Sequence, residues 1–391
     1  MGQVRRWLSS DLAPGVALVV ATLVALVLVN SPAGAVYESW WHTGLGPGAL
    51  ELHLDLRRWT NDGLMTLFFF VIGLEIKQEL VTGELAHPRR AAVPVLAAIG
   101  GAVVPAAVFT ALTWGQPAGR GWGIPMATDP AFAVGLLALL ARRVPAGVRA
   151  LLLAFATVDD VLAVLVIAVG YTRGLAWPWL LAAAAGCLLV ALLRRLGVSN
   201  PWLYVPVGLL IWYATLRCGV HATLAGVALA LLTPAQPVGA RPVLAELTRV
   251  VAPVSAFLAV PLFALANAGV DLTATPLGDA LRSRVGWAVV AGLLVGKLIG
   301  VTGTITLATV TGVGHLPEAV TTRHVIGLGL LGALGFTVAL FITELAYPDS
   351  ATQAAQAKTG ILVASIIAAA SAAVVLGRGH RVPRPGPGPS R

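Results

Sequence analysis

Stretches of about twenty predominantly apolar residues recur along almost the whole of this chain, each long enough to cross a bilayer as a helix. Twelve can be placed, near residues 12–30, 64–84, 91–114, 122–141, 148–171, 176–194, 202–217, 220–235, 250–270, 285–309, 323–346 and 356–377. They are continuous rather than alternating, so they read as helices and not as barrel strands; a helix in hydrocarbon satisfies its own backbone. Composition agrees. Of 391 residues, 58% are hydrophobic and 11% charged, against roughly 25% charged in a soluble domain. The expectation is one all-α integral membrane domain over residues 1–391, with 1–11 and the basic, Pro/Gly-rich 379–391 as flexible cytoplasmic tails. The seventh and eighth stretches are short and meet at Arg217–Gly219, the weakest boundary of the set.

A formal net charge of +9 would suit nucleic acid, but the distribution of the basic residues argues against that partner. With the N-terminus inside, about twice as many lysines and arginines fall on the cytoplasmic side as outside, the asymmetry known as positive-inside. The expected partner is the lipid bilayer, and both termini are expected in the cytoplasm. Arg5, Arg6, the first apolar run and Ala33-Gly34-Ala35 resemble a cleavable signal peptide. The run is longer than a usual signal core, however, and its removal would leave an odd number of spans, so it is expected to stay. Cys187 and Cys218 fall in or beside spans; they imply neither a disulfide framework nor a metal cage, and read as packing residues. Residues 31–63 read as a polar loop on the outer side.

Two spans are interrupted by helix breakers. The fourth contains GWGIPMATDPAFAVG, where Pro125 and Pro130 bracket Thr128 and Asp129; the eleventh contains GLGLLGALGFTVALF, weakened by Gly327, Gly329, Gly332 and Gly335. Broken helices in corresponding places of two halves point to a transporter's binding site. Gly and Pro are also common in membrane helices as packing positions, but the fourth break coincides with an ionisable residue.

Asp129, Asp159 and Asp160 lie well inside spans, as does Lys297, while Glu75 and Glu344 lie toward span ends. A charge at the bilayer centre costs at least ~2.5–3.5 kcal/mol, so such residues mark ion or proton pathways. Burial disfavours the carboxylate form, and a like-charged neighbour disfavours a second ionisation. The adjacent Asp159 and Asp160 therefore titrate as a coupled pair. Their hard oxygens also suit a hard cation, so proton and cation compete for one site. If the fourth and eleventh helices break and cross, opposed helix ends leave partial charges facing one another. Asp129 would compensate the positive ends. Lys297 would compensate the negative ends, or pair with Asp159 or Asp160, or itself carry a proton. Glu75 and Glu79 share a helix face; their repulsion could make that end pH-sensitive, and a solvated helix end is an equal alternative. His221 titrates near neutrality when unperturbed, although a packed, hydrogen-bonded role suits it better. Glu344, near Tyr347-Pro348, is expected to be a solvated or interfacial acid.

Read together, GWGIPMATDPAFAVG, ATVDDVLAVLVIA, GVHATLAGV, GLLVGKLIG, LFFFVIGLEIKQEL and ALGFTVALFI resemble the motifs of NhaA-type sodium/proton antiporters, in order and over almost the whole chain. That resemblance implies twelve transmembrane helices with inverted repeats, the fourth and eleventh interrupted and crossing at the midplane. It implies an electrogenic exchanger of the bacterial cell membrane that exports Na+, and Li+, against two protons. Asp159 and Asp160 would be the ion-binding pair, Thr128, Asp129 and Lys297 its support, and Glu75, Lys77, Gln78 and Glu79 the pH-responsive end of the second helix. A homodimer is implied and no cofactor. The chain departs from the family pattern at Leu298, where a proline is expected, and at Ala333-Leu334-Gly335, where glycine is expected at both ends.

The alternative is a sodium- or proton-coupled solute symporter, which needs a further polar pocket; residues such as Asn267 and Thr223 are too few to supply one. An intramembrane aspartyl protease needs two aspartates on different helices, whereas Asp159 and Asp160 adjoin on one. A passive channel would need a filter-like loop, and none is read here.

Overall fold

The structure, a computed structural model, describes residues 12–140, 143–172, 174–198, 201–236, 242–274, 277–317 and 319–378. The two expected tails lie outside this range. Helices dominate because apolar backbone in lipid must satisfy its own N–H and C=O groups. Among the described residues six helices are long and apolar enough to cross a membrane, or up to nine if each of three bent pairs counts as one span.

In chain order, α1 (Ala13–Val29) turns through 116° into the short α2 (Gly34–Trp41). A small hairpin follows, β1 (Gly44–Leu45) antiparallel to β2 (Leu54–Asp55), with Leu45 opposite Leu54. This is a minor correction to an all-helical chain. The loop expected at 31–63 is thus partly ordered, and the Glu51 carboxylate is ion-paired with Arg217. That contact, a hydrogen bond from the guanidinium, holds the Glu51 carboxyl below its usual range.

A π-helical turn, Trp59–Leu64, leads into α3 (Met65–Thr82), and α4 is Pro88–Leu112. A 3-10 helix, Pro117–Met126, then breaks at 127–129 before α5 (Pro130–Leu139). The expected fourth span therefore starts earlier, and its first half is not α-helical. Tyrosines pin that half in place: Tyr171 donates to the Arg120 carbonyl at 2.9 Å, and Tyr347 to that of Ala118 at 2.6 Å.

Next come α6 (Ala146–Gly170), α7 (Trp177–Arg195), α8 (Tyr204–Arg217) and α9 (Thr223–Leu232). The uncertain seventh–eighth boundary is real: Cys218 ends α8, and Gly219 turns the chain with φ +86°, a conformation that suits glycine. α10 (Val243–Val254) continues through a π turn, Ser255–Ala259, into α11 (Val260–Asn267). After the short α12 (Leu277–Arg282), α13 (Arg284–Ala291) passes through a third π turn, Gly292–Gly296, into α14 (Lys297–Val310). α15 (Thr322–Gly332) and α16 (Phe336–Ala346) form the second broken pair, and α17 (Ala351–Gly377) closes the chain.

The helices pack closely where side chains vanish. α14 lies on α4 through Gly100 and Gly300; a Cβ on Gly300 would stand 2.2 Å from the Gly100 carbonyl oxygen, so only glycine allows this approach. The interior holds two large apolar clusters, one around Phe69, Phe263 and Phe341, the other around Leu152, Phe155 and Leu331. Phe132 and Leu294 border both, and the Phe132 amide donates to Asp129 there. Glu344, expected to be a solvated or interfacial acid, is partly exposed and lies 2.7 Å from the Lys358 ammonium, with a quarter of its side chain accessible.

Candidate functional site: a buried ion pair beside a free carboxylate

The site begins with two chain breaks. Pro125 and Pro130 lack backbone N–H groups, and Asp129 is extended, so neither half can continue the helix of the other. Each broken pair bends by 41°. The breaks touch: the Asp129 amide donates to the Leu334 carbonyl at 2.5 Å, and the Thr128 hydroxyl to that of Gly332 at 2.8 Å.

Asp129 caps two helices at once. Its carboxylate accepts from the Phe132 amide at 3.2 Å, in the first turn of α5, and from the Thr337 amide at 3.0 Å, in the first turn of α16. The Thr337 hydroxyl donates to it as well. A carboxylate facing two helix N-termini meets unsatisfied amides and the positive ends of both dipoles. Thr337 is absent from the sequence-based set of site residues.

Lys297 takes the other side of the junction. Its ammonium is fully buried and donates to Asp159 at 2.8 and 3.0 Å and to the Thr128 hydroxyl at 3.0 Å. Of the three roles open to it from sequence, the geometry shows the pairing, and the partner is Asp159. The negative end of α15 is reached only through Thr128, whose hydroxyl passes the interaction on to Gly332. The Thr128 amide adds a third hydrogen bond to Asp159, at 2.7 Å. The π turn at Gly292–Gly296 directly precedes Lys297; such turns change helix register and concentrate at functional sites.

Asp160 is the exception. It is 5% exposed, yet among the described residues no donor reaches its carboxylate. It lies instead within electrostatic range of Asp159, Glu75, Asp129 and Lys297. A buried acceptor with no partner is costly, and the cost falls if a proton or a cation binds there. Ile76, Val161, Val164 and Val227 help line a half-open apolar cleft of about 400 Å³. No group of three or more His, Cys, Asp or Glu side chains able to hold a resident metal occurs among the described residues. The arrangement offers two carboxylates, one engaged and one open.

Glu75 is drawn into this electrostatic neighbourhood, whereas Glu79 turns back to accept from the Glu84 amide at 2.7 Å. Although four apart on one helix, Glu75 and Glu79 thus have different neighbours. Lys77 donates to the Leu231 carbonyl at the end of α9. His221 sits 3.3 Å from the Tyr171 carbonyl, its ring edge-on to Phe341.

The sequence of this chain matches the family described as "Na+/H+ antiporter 1" over residues 5–376. The chain belongs to that family. A Na(+)/H(+) antiporter NhaA of Nocardia farcinica is 46% identical over 382 residues, covering 97% of this chain and 92% of the relative. The NhaA of Escherichia coli is 41% identical over 377 residues, covering 94% and 96%. The fold is similar to that of the sodium proton antiporter MjNhaP1 from Methanocaldococcus jannaschii, with a TM-score of 0.51 at 15% identity over 93% of this chain and 97% of that one. This antiporter family member is a membrane protein whose relatives are transporters.

Proposed function

We propose that the chain exchanges Na+ for H+ across a bacterial inner membrane, expelling sodium and drawing in two protons per ion. The observation that carries this reading is Asp160, a buried carboxylate with no donor, next to Asp159, whose oxygens are held by a lysine.

Two states follow from the charges. In the proton-loaded state Asp160 is neutral and the Asp159–Lys297 pair is internally balanced, so the site carries no net charge. In the sodium-loaded state both carboxylates ligate the cation, and Lys297, its anionic partner taken, gives up its proton. Going from the first state to the second releases two protons for one Na+, which makes each cycle electrogenic. A bare, doubly ionised site is the costly form in a poorly polarisable interior, so it crosses the membrane only when loaded. Li+, equally hard and smaller, suits the same oxygens. The touching breaks of α5 and α16 supply the element around which access alternates, with the crossing near the midplane, twelve spans, inverted repeats and both termini in the cytoplasm. A homodimer completes the proposal, supported by the family resemblance alone.

In everted vesicles with an acid interior, added Na+ should collapse the pH gradient, and Asp160→Asn vesicles should hold it. Normal collapse in that variant would remove the site.

A further inference from the structure

The ammonium of Lys297 has a third wall that the exchange scheme does not use. Phe155 lies one turn before Asp159 on α6, on the same face. Its ring is 1% exposed, and the Lys297 nitrogen stands over it at 5.5 Å from the centroid. The ring is wedged in place. A Cβ on Gly332, at the α15 break, would come within 3.2 Å of its tip, and one on Gly101 of α4 within 3.5 Å of its edge. Carboxylate, hydroxyl and aromatic face therefore enclose one cation from three sides.

A ring face carries partial negative charge, and its attraction for an ammonium strengthens where water is excluded. Here water is excluded. Among the described residues no other charged side chain is recorded at this wall: α4 contributes glycine at the contact and α15 its terminal Gly332. From this geometry we infer that Phe155 is a positioning residue, whose ring face holds the Lys297 ammonium on Asp159 and thereby sets how much sodium is needed to displace it. Phe155 touches no transported ion; it acts through Lys297. For its kinetic consequence the inference rests on the exchange reading above.

Fluorination tests it, because successive fluorines drain the ring face at nearly constant size. Full-length protein carrying phenylalanine, 4-fluoro-, 3,5-difluoro- or 3,4,5-trifluorophenylalanine at 155 is reconstituted and assayed for Na+-driven proton movement at one pH. The Na+ KM should fall stepwise along the series, by roughly three- to tenfold at trifluoro, with maximal rate changing much less. A flat or rising KM overturns the inference, even if Phe155→Leu alters transport through packing. A second measurement needs no transport. The trifluoro substitution should lower the melting temperature of the detergent-purified protein by about 2 °C when Lys297 is present, and leave Lys297→Met unaffected. Equal shifts in both backgrounds would also overturn it. Absent exchange in the unmodified protein would sink the exchange reading alone, since this cycle still decides the contact.

Discussion

Asp129 and Asp160 are both buried aspartates among apolar helices, 1% and 5% exposed, and the fold treats them in opposite ways. Asp129 receives two amides and a hydroxyl from the starts of two helices. Asp160 receives no donor among the described residues and faces other charges instead. The first carboxylate is spent on architecture: without it, two helix ends would face one another with their amides unsatisfied. The second is left open, and openness is what an exchanger needs. A fully hydrogen-bonded carboxylate has little to gain from a sodium ion; an orphaned one gains a great deal. Asp159 stands between these extremes, because its partner is a cation, Lys297, which in the proposed exchange sodium displaces.

This contrast can be broken by unfolding measurements in detergent. Asp129→Ala strands three donors, each worth about 1–3 kcal/mol, so a loss on the order of 3 kcal/mol or more is expected from denaturant unfolding. Asp160→Asn, nearly identical in shape, should unfold at or above the unmodified protein while losing exchange. The reverse ranking would show that Asp160 is the structural residue. Thr337→Val sharpens the comparison at smaller scale. It removes one of the three donors and keeps the amide, so about 1 kcal/mol of stability should be lost with the Na+ KM little changed. A large change in KM there would place Asp129 in the ion pathway itself.

Much of this was legible in the sequence, for physical reasons. Charges in hydrocarbon are too costly to be accidental, so Asp129, Asp159, Asp160 and Lys297 announce themselves. Two prolines around Asp129 leave no doubt of a break. Thr337 gives no such signal: threonines in apolar helices ordinarily bond back to a carbonyl one turn earlier, as Thr343 does to Ala339 at 2.8 Å and Thr215 to Ile211 at 2.7 Å. Nothing in composition separates those from the one that reaches across to Asp129. Phe155 is likewise one apolar residue among many until Lys297 is seen above it. The π turns leave no readable pattern, since an extra residue in a turn changes no periodicity that an all-apolar helix would display. The electrostatic reach of Glu75 to Asp160, and the pairing of Glu344 with Lys358, depend on helix neighbours that a linear reading does not supply.

Competition between hydrogen ions and sodium for the same oxygens is the core of the proposed exchange. The most direct measurement is proton release: purified protein in a weakly buffered detergent solution at constant pH, to which NaCl is added with a pH-sensitive dye. Protons should be released, approaching two per chain as sodium saturates, with little response to choline chloride and a reduced release in Asp160→Asn. If sodium binds and the dye shows no protons leaving, the two ions do not share a site.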